Sequence, residues 1–265
     1  MHPNKKGTVL ALALSGGAAR CIAQIGVIQA LEDEGFRIDA VAATSAGAIV
    51  GALYLDGMPP GEMARLAAKT TWTSIFRPSL SARGLVSSGG IYSFLKRRLK
   101  AEDITDLGRP FAAVCADLET GEKAVLTSGP LARAVQASCS LPVVFTPTRF
   151  EGRLLIDGGY VSQIPVLAAR EELGAKLVVA VDANYRSTPS PPKTGSMLGI
   201  SIHLAQMFAR KNANQELPHT DAVINVDIDG IGLLDIGRHR ELLELGRKAA
   251  RAKAGAIREA LGAVL

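Results

Sequence analysis

The chain has 265 residues, 48% hydrophobic and 21% charged, which fits one or two folded domains and excludes disordered and fibrous classes. Aromatics make up only 5% while glycine counts 27, so the core is built from small and branched side chains joined by tight turns, as in layered α/β folds. A net charge of +5 suits an anionic surface but is too small to call for a nucleic acid partner, and none is expected. Cys21, Cys115 and Cys139 are odd in number and form no C-x-x-C pair, so neither a disulfide framework nor a metal site is expected. A reducing, cytoplasmic compartment follows, with peripheral contact to a membrane surface left open.

His2, Lys5 and Lys6 before the apolar run Val9 to Leu14, with small residues from Ser15 to Ala19, imitate a signal peptide. The run is short and passes straight into a glycine-rich turn and a helix, so Thr8 to Leu14 reads as a buried first strand. Ile22, Ile25, Ile28 and Leu31 then recur at helical spacing until Gly35. The rhythm returns at Ala40 to Ala43 with a helix through Leu55, and at the strands Phe111 to Ala116, Arg153 to Ile156, Lys176 to Val181 and Ala222 to Val226. The longest uncharged stretch, 40–55, is shorter than the roughly 18 apolar residues of a membrane span. Residues 59–100 lose periodicity and combine Trp72, Ile75 and Phe76 with the cluster Lys96, Arg97, Arg98 and Lys100, which predicts a lid or cap insertion. Arg186 to Gly195, with three prolines, predicts a surface loop. From Gly237 a long helix is expected, its buried stripe running through Leu242, Leu245, Ala249, Ala252, Ala256 and Ala260. Together these elements predict one α/β domain over 1–265, a mostly parallel sheet with helices on both faces.

Three segments carry chemistry. Ala43-Thr44-Ser45-Ala46-Gly47 stands where a strand ends and a helix begins, a turn that can expose a serine hydroxyl at a helix N-terminus. Ser15-Gly16-Gly17-Ala18-Ala19-Arg20 follows the first strand, and its small residues let N–H groups share a concavity for a phosphate or an oxyanion. As a dinucleotide fingerprint it fails, with Ser15 and Arg20 at two of the key positions. Asp157-Gly158-Gly159 puts a carboxylate at the end of a strand, before a permissive turn.

In this order the three segments resemble the patatin-like phospholipase family, whose members carry a glycine-rich oxyanion loop, a G-x-S-x-G serine and an aspartate in D-G-A/G. Gly26-Val27-Ile28 with Leu31, the stretch Ser138 to Phe145, Tyr160 with Ile164 to Val166, and Val226 to Leu234 extend the likeness over roughly Thr8 to Lys248. The chain departs from the family at Ala43, Ala18 and Cys21, where glycine is usual, and at Ser162-Gln163, where asparagine often stands. The resemblance implies a three-layer α/β fold and a serine hydrolase of lipid acyl esters without metal or cofactor. Ser45 is then the nucleophile and Asp157 its base, with Gly16, Gly17, Ala18 and Arg20 forming the oxyanion and binding loop. Ala43 and Gly47 shape the elbow, and Gly158 and Gly159 form the turn after the aspartate. The substrate expected is a phospholipid or another acyl-ester lipid. His203, His219 and His239 lie in a helix, a polar loop and the start of the last helix, so no triad is expected. The alternative reading is a weakly active or inactive member that binds acyl lipids or a protein partner.

Overall fold

The computed structural model describes residues 8–75, 77–78, 86–187 and 195–265; Phe76 and most of the Arg186 to Gly195 loop lie outside them. In chain order the strands of the main sheet are β1 (Leu10–Leu14), β2 (Ala40–Thr44), β5 (Phe111–Asp117), β6 (Lys123–Leu126), β7 (Thr148–Phe150), β8 (Arg153–Asp157), β9 (Leu177–Asp182) and β10 (Ala222–Asn225). A separate antiparallel pair, β3 (Arg77–Pro78) and β4 (Val86–Ser87), lies between β2 and β5 in sequence. The helices are α1 (Ile22–Asp33), α2 (Ala46–Leu55), α3 (Pro60–Lys69), α4 (Trp72–Ile75), α5 (Gly89–Lys96), α6 (Leu131–Ser138), α7 (Met197–Glu216) and α8 (His239–Val264).

The sheet runs β10-β9-β1-β2-β5-β8-β7, with β6 on β5. The five strands from β10 to β5 are parallel, while β6, β7 and β8 join in antiparallel sense. Every residue of β1, β2 and β5 is buried, as strands covered on both faces require. The period of two sorts these residues by size. Leu10, Leu12, Leu14, Val41, Phe111, Leu177 and Val179 join the cluster that holds the buried sides of α1, α2 and α8. Ala11, Ala13, Ala40, Ala42, Ala112 and Ala180 face the other way, and these short side chains admit the segment from Ile164 to Ala175 close against the sheet. The expected α/β layering is therefore borne out.

Within segment 59–100 the described residues include α3, α4 and α5, and α3 buries Met63 and Ala67 in the core. One expectation needs correction. The buried stripe of α8 is Leu242, Leu243, Gly246, Ala250, Ala254 and Ile257, whereas Ala252 and Ala256 are exposed. The shift comes from a backbone contact between α1 and α8. A Cβ on Gly246 would stand 1.9 Å from the Ala23 carbonyl oxygen, and one on Gly26 would stand 2.1 Å from that of Leu243. Two glycines thus select the face that α8 turns inward.

This contact makes opposite predictions for two glycines of one helix. Gly246→Ala should destabilise by about 1–3 kcal/mol or more, because neither backbone can move aside. Gly255→Ala, with nothing within 4 Å, should stabilise by roughly 0.5–1 kcal/mol. Denaturant titration of both variants checks the pair, and equal effects would refute the crossing.

Candidate active site

The candidate residues meet at the C-terminal ends of β1, β2 and β8, beside the point where the strand order reverses about β1, the usual place for a crevice in an open α/β sheet. Ser45 is the single residue between β2 and α2, and its backbone lies at φ 53° and ψ −131°. A residue with a side chain held there costs roughly 1–3 kcal/mol and persists only where its surroundings fix it. The Ser45 N–H donates to Ser138 Oγ at 2.8 Å, and the Ser138 hydroxyl donates to the Val114 carbonyl at 2.6 Å. Gly47 admits the start of α2 against β1, since a Cβ would lie 2.4 Å from the Ser15 carbonyl oxygen. On the other side Gly16 passes so close that a Cβ there would be 3.1 Å from the Cβ of Ser45. Ala43 keeps an ordinary backbone, and its methyl sits in the core without strain.

Sheet register brings the aspartate to the serine. Thr44 pairs with Val114, so Ser45 is level with Cys115, and Asp157 pairs with Cys115 from the opposite side. The Ser45 hydroxyl donates to Asp157 Oδ2 at 2.6 Å, and the Gly159 N–H donates to Oδ1 at 2.8 Å. The Asp157 N–H donates to the Ser140 carbonyl at 3.1 Å. A Cβ on Gly158 would be 2.2 Å from the Val114 carbonyl oxygen, so that glycine is what lets the turn fold against β5. Burial pushes the Asp157 carboxyl up to about 6, and the hydrogen bonds from Ser45 and Gly159 only partly offset it.

The glycine-rich loop is held from outside. The Gly16 N–H donates to the Gln163 carbonyl at 3.2 Å. The Gly16 carbonyl accepts from the side-chain amides of Gln163 and Asn184. A planar trans peptide that turns its C=O toward those amides turns the N–H of Gly17 the other way. Among the described residues neither that N–H nor the N–H of Ala18 has a protein acceptor. Ala18 lies at φ 50°, so here the replacement of the family's glycine carries a left-handed methyl, unlike Ala43. Arg20 turns inward and is 4% exposed. Its guanidinium donates to the Ile231 carbonyl at 3.1 Å and to Asn184 Oδ1 at 3.3 Å, which ties the loop down. Burial, with Arg186 adding to it, lowers its pKa to about 10.

Sequence reasoning missed Asn184 and the amide role of Gln163; a polar residue just beyond the end of a parallel strand was the available signal for the first. Ser138 and Ser140 sit in a stretch already singled out. Cys21, Cys115 and Cys139 are buried, and their thiols are pushed up by burial and by Asp157. Among the described residues no histidine is hydrogen-bonded to Ser45 or Asp157.

Residues 12–170 match the patatin-like phospholipase family. The chain belongs to that family. An uncharacterized NTE family protein from Mycobacterium tuberculosis is 38% identical over 178 residues, 66% of this chain and 49% of the relative. Rat patatin-like phospholipase domain-containing protein 7 is 34% identical over 202 residues, 72% of this chain and 15% of that protein. The chain spans about half the length of the mycobacterial relatives it matches. Among solved structures, VipD from Legionella pneumophila superposes with a TM-score of 0.53 at 15% identity, over 94% of this chain and 67% of that one. Human GIVD cytosolic phospholipase A2 superposes at 0.50 and 11% identity, over 97% and 59%. Both share the patatin-like fold.

A buried aspartate with a raised pKa makes stability fall with pH. The protonated form is favoured in the fold, so the contribution is complete below about 3.8, is lost as pH rises through about 6, and stays lost above it. Asp157→Asn should therefore match the parent near pH 4 and exceed it by up to about 3 kcal/mol at neutral pH. Denaturant melts across that range test this, and a constant difference would refute it.

Proposed function

We propose that the protein hydrolyses acyl esters of phospholipids or lysophospholipids with a Ser45–Asp157 dyad. One observation carries the reading: a serine held at a strained strand-to-helix turn donates at 2.6 Å to a buried carboxylate whose pKa lies at about 6. A base near the operating pH is ionised yet still takes a proton readily. Ser45 Oγ attacks the ester carbonyl while Asp157 accepts its proton. The N–H groups of Gly17 and Ala18 and the start of α2 receive the oxyanion. Asp157 returns the proton to the departing alcohol, then activates the water that releases the fatty acid from Ser45. Membership of the patatin-like phospholipases supports a lipid substrate.

Segment 59–100 remains our choice for the cover of the approach. Trp72 of α4 donates through Nε1 to the Leu234 carbonyl, next to Leu233, whose carbonyl accepts from Ala19 of the glycine-rich loop. The basic cluster beyond it is partly engaged, Lys96 with Glu102 and Arg98 over the Phe94 ring.

The strained Ala18 favours a second reading, a fold that binds acyl lipid with little turnover. A fluorophosphonate, the class of inhibitor bound in the human phospholipase structure, separates the two. It should label Ser45 of the parent and leave Ser45→Ala unlabelled, with ester turnover in the variant down by roughly a thousandfold or more. A cleanly folded Ser45→Ala that keeps its turnover would remove Ser45 as nucleophile.

The acidic limb of kcat/KM should fall near pH 6, well above a free aspartate. An imidazole titrates close by, at about 6.5, so the limb alone does not identify the base. Replacing His203, His219 and His239 singly should leave turnover within about tenfold, roughly 1.4 kcal/mol of barrier, whereas Asp157→Asn should abolish it. A thousandfold loss at one histidine would make the dyad a triad.

A further inference from the structure

Exposed large apolar side chains gather on α7. Met197, Leu198, Ile200, Leu204, Met207 and Phe208 are between 38% and 85% exposed, while only Ala213 and Glu216 of the helix are buried. Residues 197, 200, 204, 207 and 208 recur at three- and four-residue steps and share one face. In sequence, the charge beside them is mostly of one sign, while in the fold the half-buried Asp182 acts electrostatically on Arg210. From Ala183 to Thr220 the only acidic residue is Glu216, against Arg186, Lys193, Arg210 and Lys211. Glu216 is 4% exposed and faces inward, accepting from Ser162 and from the Leu167 N–H. Arg210 and Lys211 are exposed. The helix is also tied to the site: Asn212 Nδ2 donates to the Tyr160 carbonyl at 2.6 Å, and the Phe208 and Tyr160 rings lie 6.1 Å apart.

We propose that α7 is the interfacial helix by which this protein docks on an anionic phospholipid bilayer, its apolar stripe entering the headgroup boundary and Arg210 and Lys211 meeting lipid phosphates. The chain chemistry fits this occupant better than a second copy, because an identical helix offers no opposite charge to these cations. Docking here sets the turn after Asp157 beside the lipid surface, so the proposal rests on the hydrolase reading for its purpose but not for its test.

The test uses the whole chain carrying Ser45→Ala, so that binding is read without turnover, with sedimentation of phosphatidylglycerol/phosphatidylcholine vesicles against phosphatidylcholine alone. Binding should favour the anionic vesicles, weaken with salt, and drop roughly tenfold or more in Ile200→Gln/Leu204→Gln/Met207→Gln and again in Arg210→Gln/Lys211→Gln. With Ser45 restored, both variants should hydrolyse a short soluble ester like the parent, which also reports their fold. Equal vesicle binding by parent and triple variant, or no binding by the parent, would overturn the proposal. So would sedimentation showing a dimer that the triple variant dissolves. Vesicle binding without ester hydrolysis by the parent would instead sink the proposed activity and leave the docking helix standing.

Discussion

A serine held with its backbone in the left-handed half of conformational space is the constraint around which this end of the molecule is arranged. A side chain there is strained, so the neighbours must leave no easier alternative. They do so by closeness: Gly47 brings α2 onto the carbonyls that end β1, Gly16 runs past the serine Cβ, and Ser138 takes the serine's N–H. Larger residues at positions 16 or 47 would meet backbone or the serine itself. Small residues thus cluster at the site because three chain segments must converge on one hydroxyl.

The second constraint is electrical. Asp157 is buried, and its charge is balanced by two hydrogen bonds, from Ser45 and Gly159, with no cation among the groups that set its pKa. A cation beside it would stabilise the carboxylate and lower its basicity. The protein therefore keeps a costly ionised group in its interior at neutral pH, and in the proposed dyad the same burial that weakens the fold would make Asp157 the base. The polar side chains nearby hold the glycine-rich loop instead. Arg20 holds Asn184 and Ile231, and Asn184 with Gln163 holds the Gly16 carbonyl. These hydrogen bonds fix the loop's backbone, and under the proposed mechanism they would hold its N–H groups in place for a developing charge.

Around this site the sheet is asymmetric. Its bulky face carries the stability through α1, α2 and α8, and its alanine face lets the chain after Asp157 lie flat against the strands. That second layer reaches α7, whose C-terminal half is anchored through Glu216 to Ser162 and Leu167 and through Asn212 to Tyr160, while its large apolar side chains stand in solvent. An element anchored at one end and apolar outside is poorly explained by stability alone.

Much of this was legible in the sequence. Continuous apolar runs such as Leu10 to Leu14 and Ala40 to Thr44 are what strands buried on both faces require, and each chemical motif falls where such a run ends, because glycine, serine and aspartate are the residues that turn a chain there. Local pattern thus determined the parallel sheet and pointed to Ser45, Asp157 and the glycine-rich loop as the candidate site. It did not determine which face of α8 is buried, since alanines line several faces and the choice was made by Gly26 and Gly246 at a crossing 220 residues apart in sequence. Nor did it reveal that Arg20 turns inward or that Gln163 and Asn184 hold the Gly16 carbonyl, for these depend on segments joined only by the sheet. The raised pKa of Asp157 was equally hidden, because a carboxyl's proton affinity is set by the solvent it loses and the partners it gains, and both are properties of the folded chain.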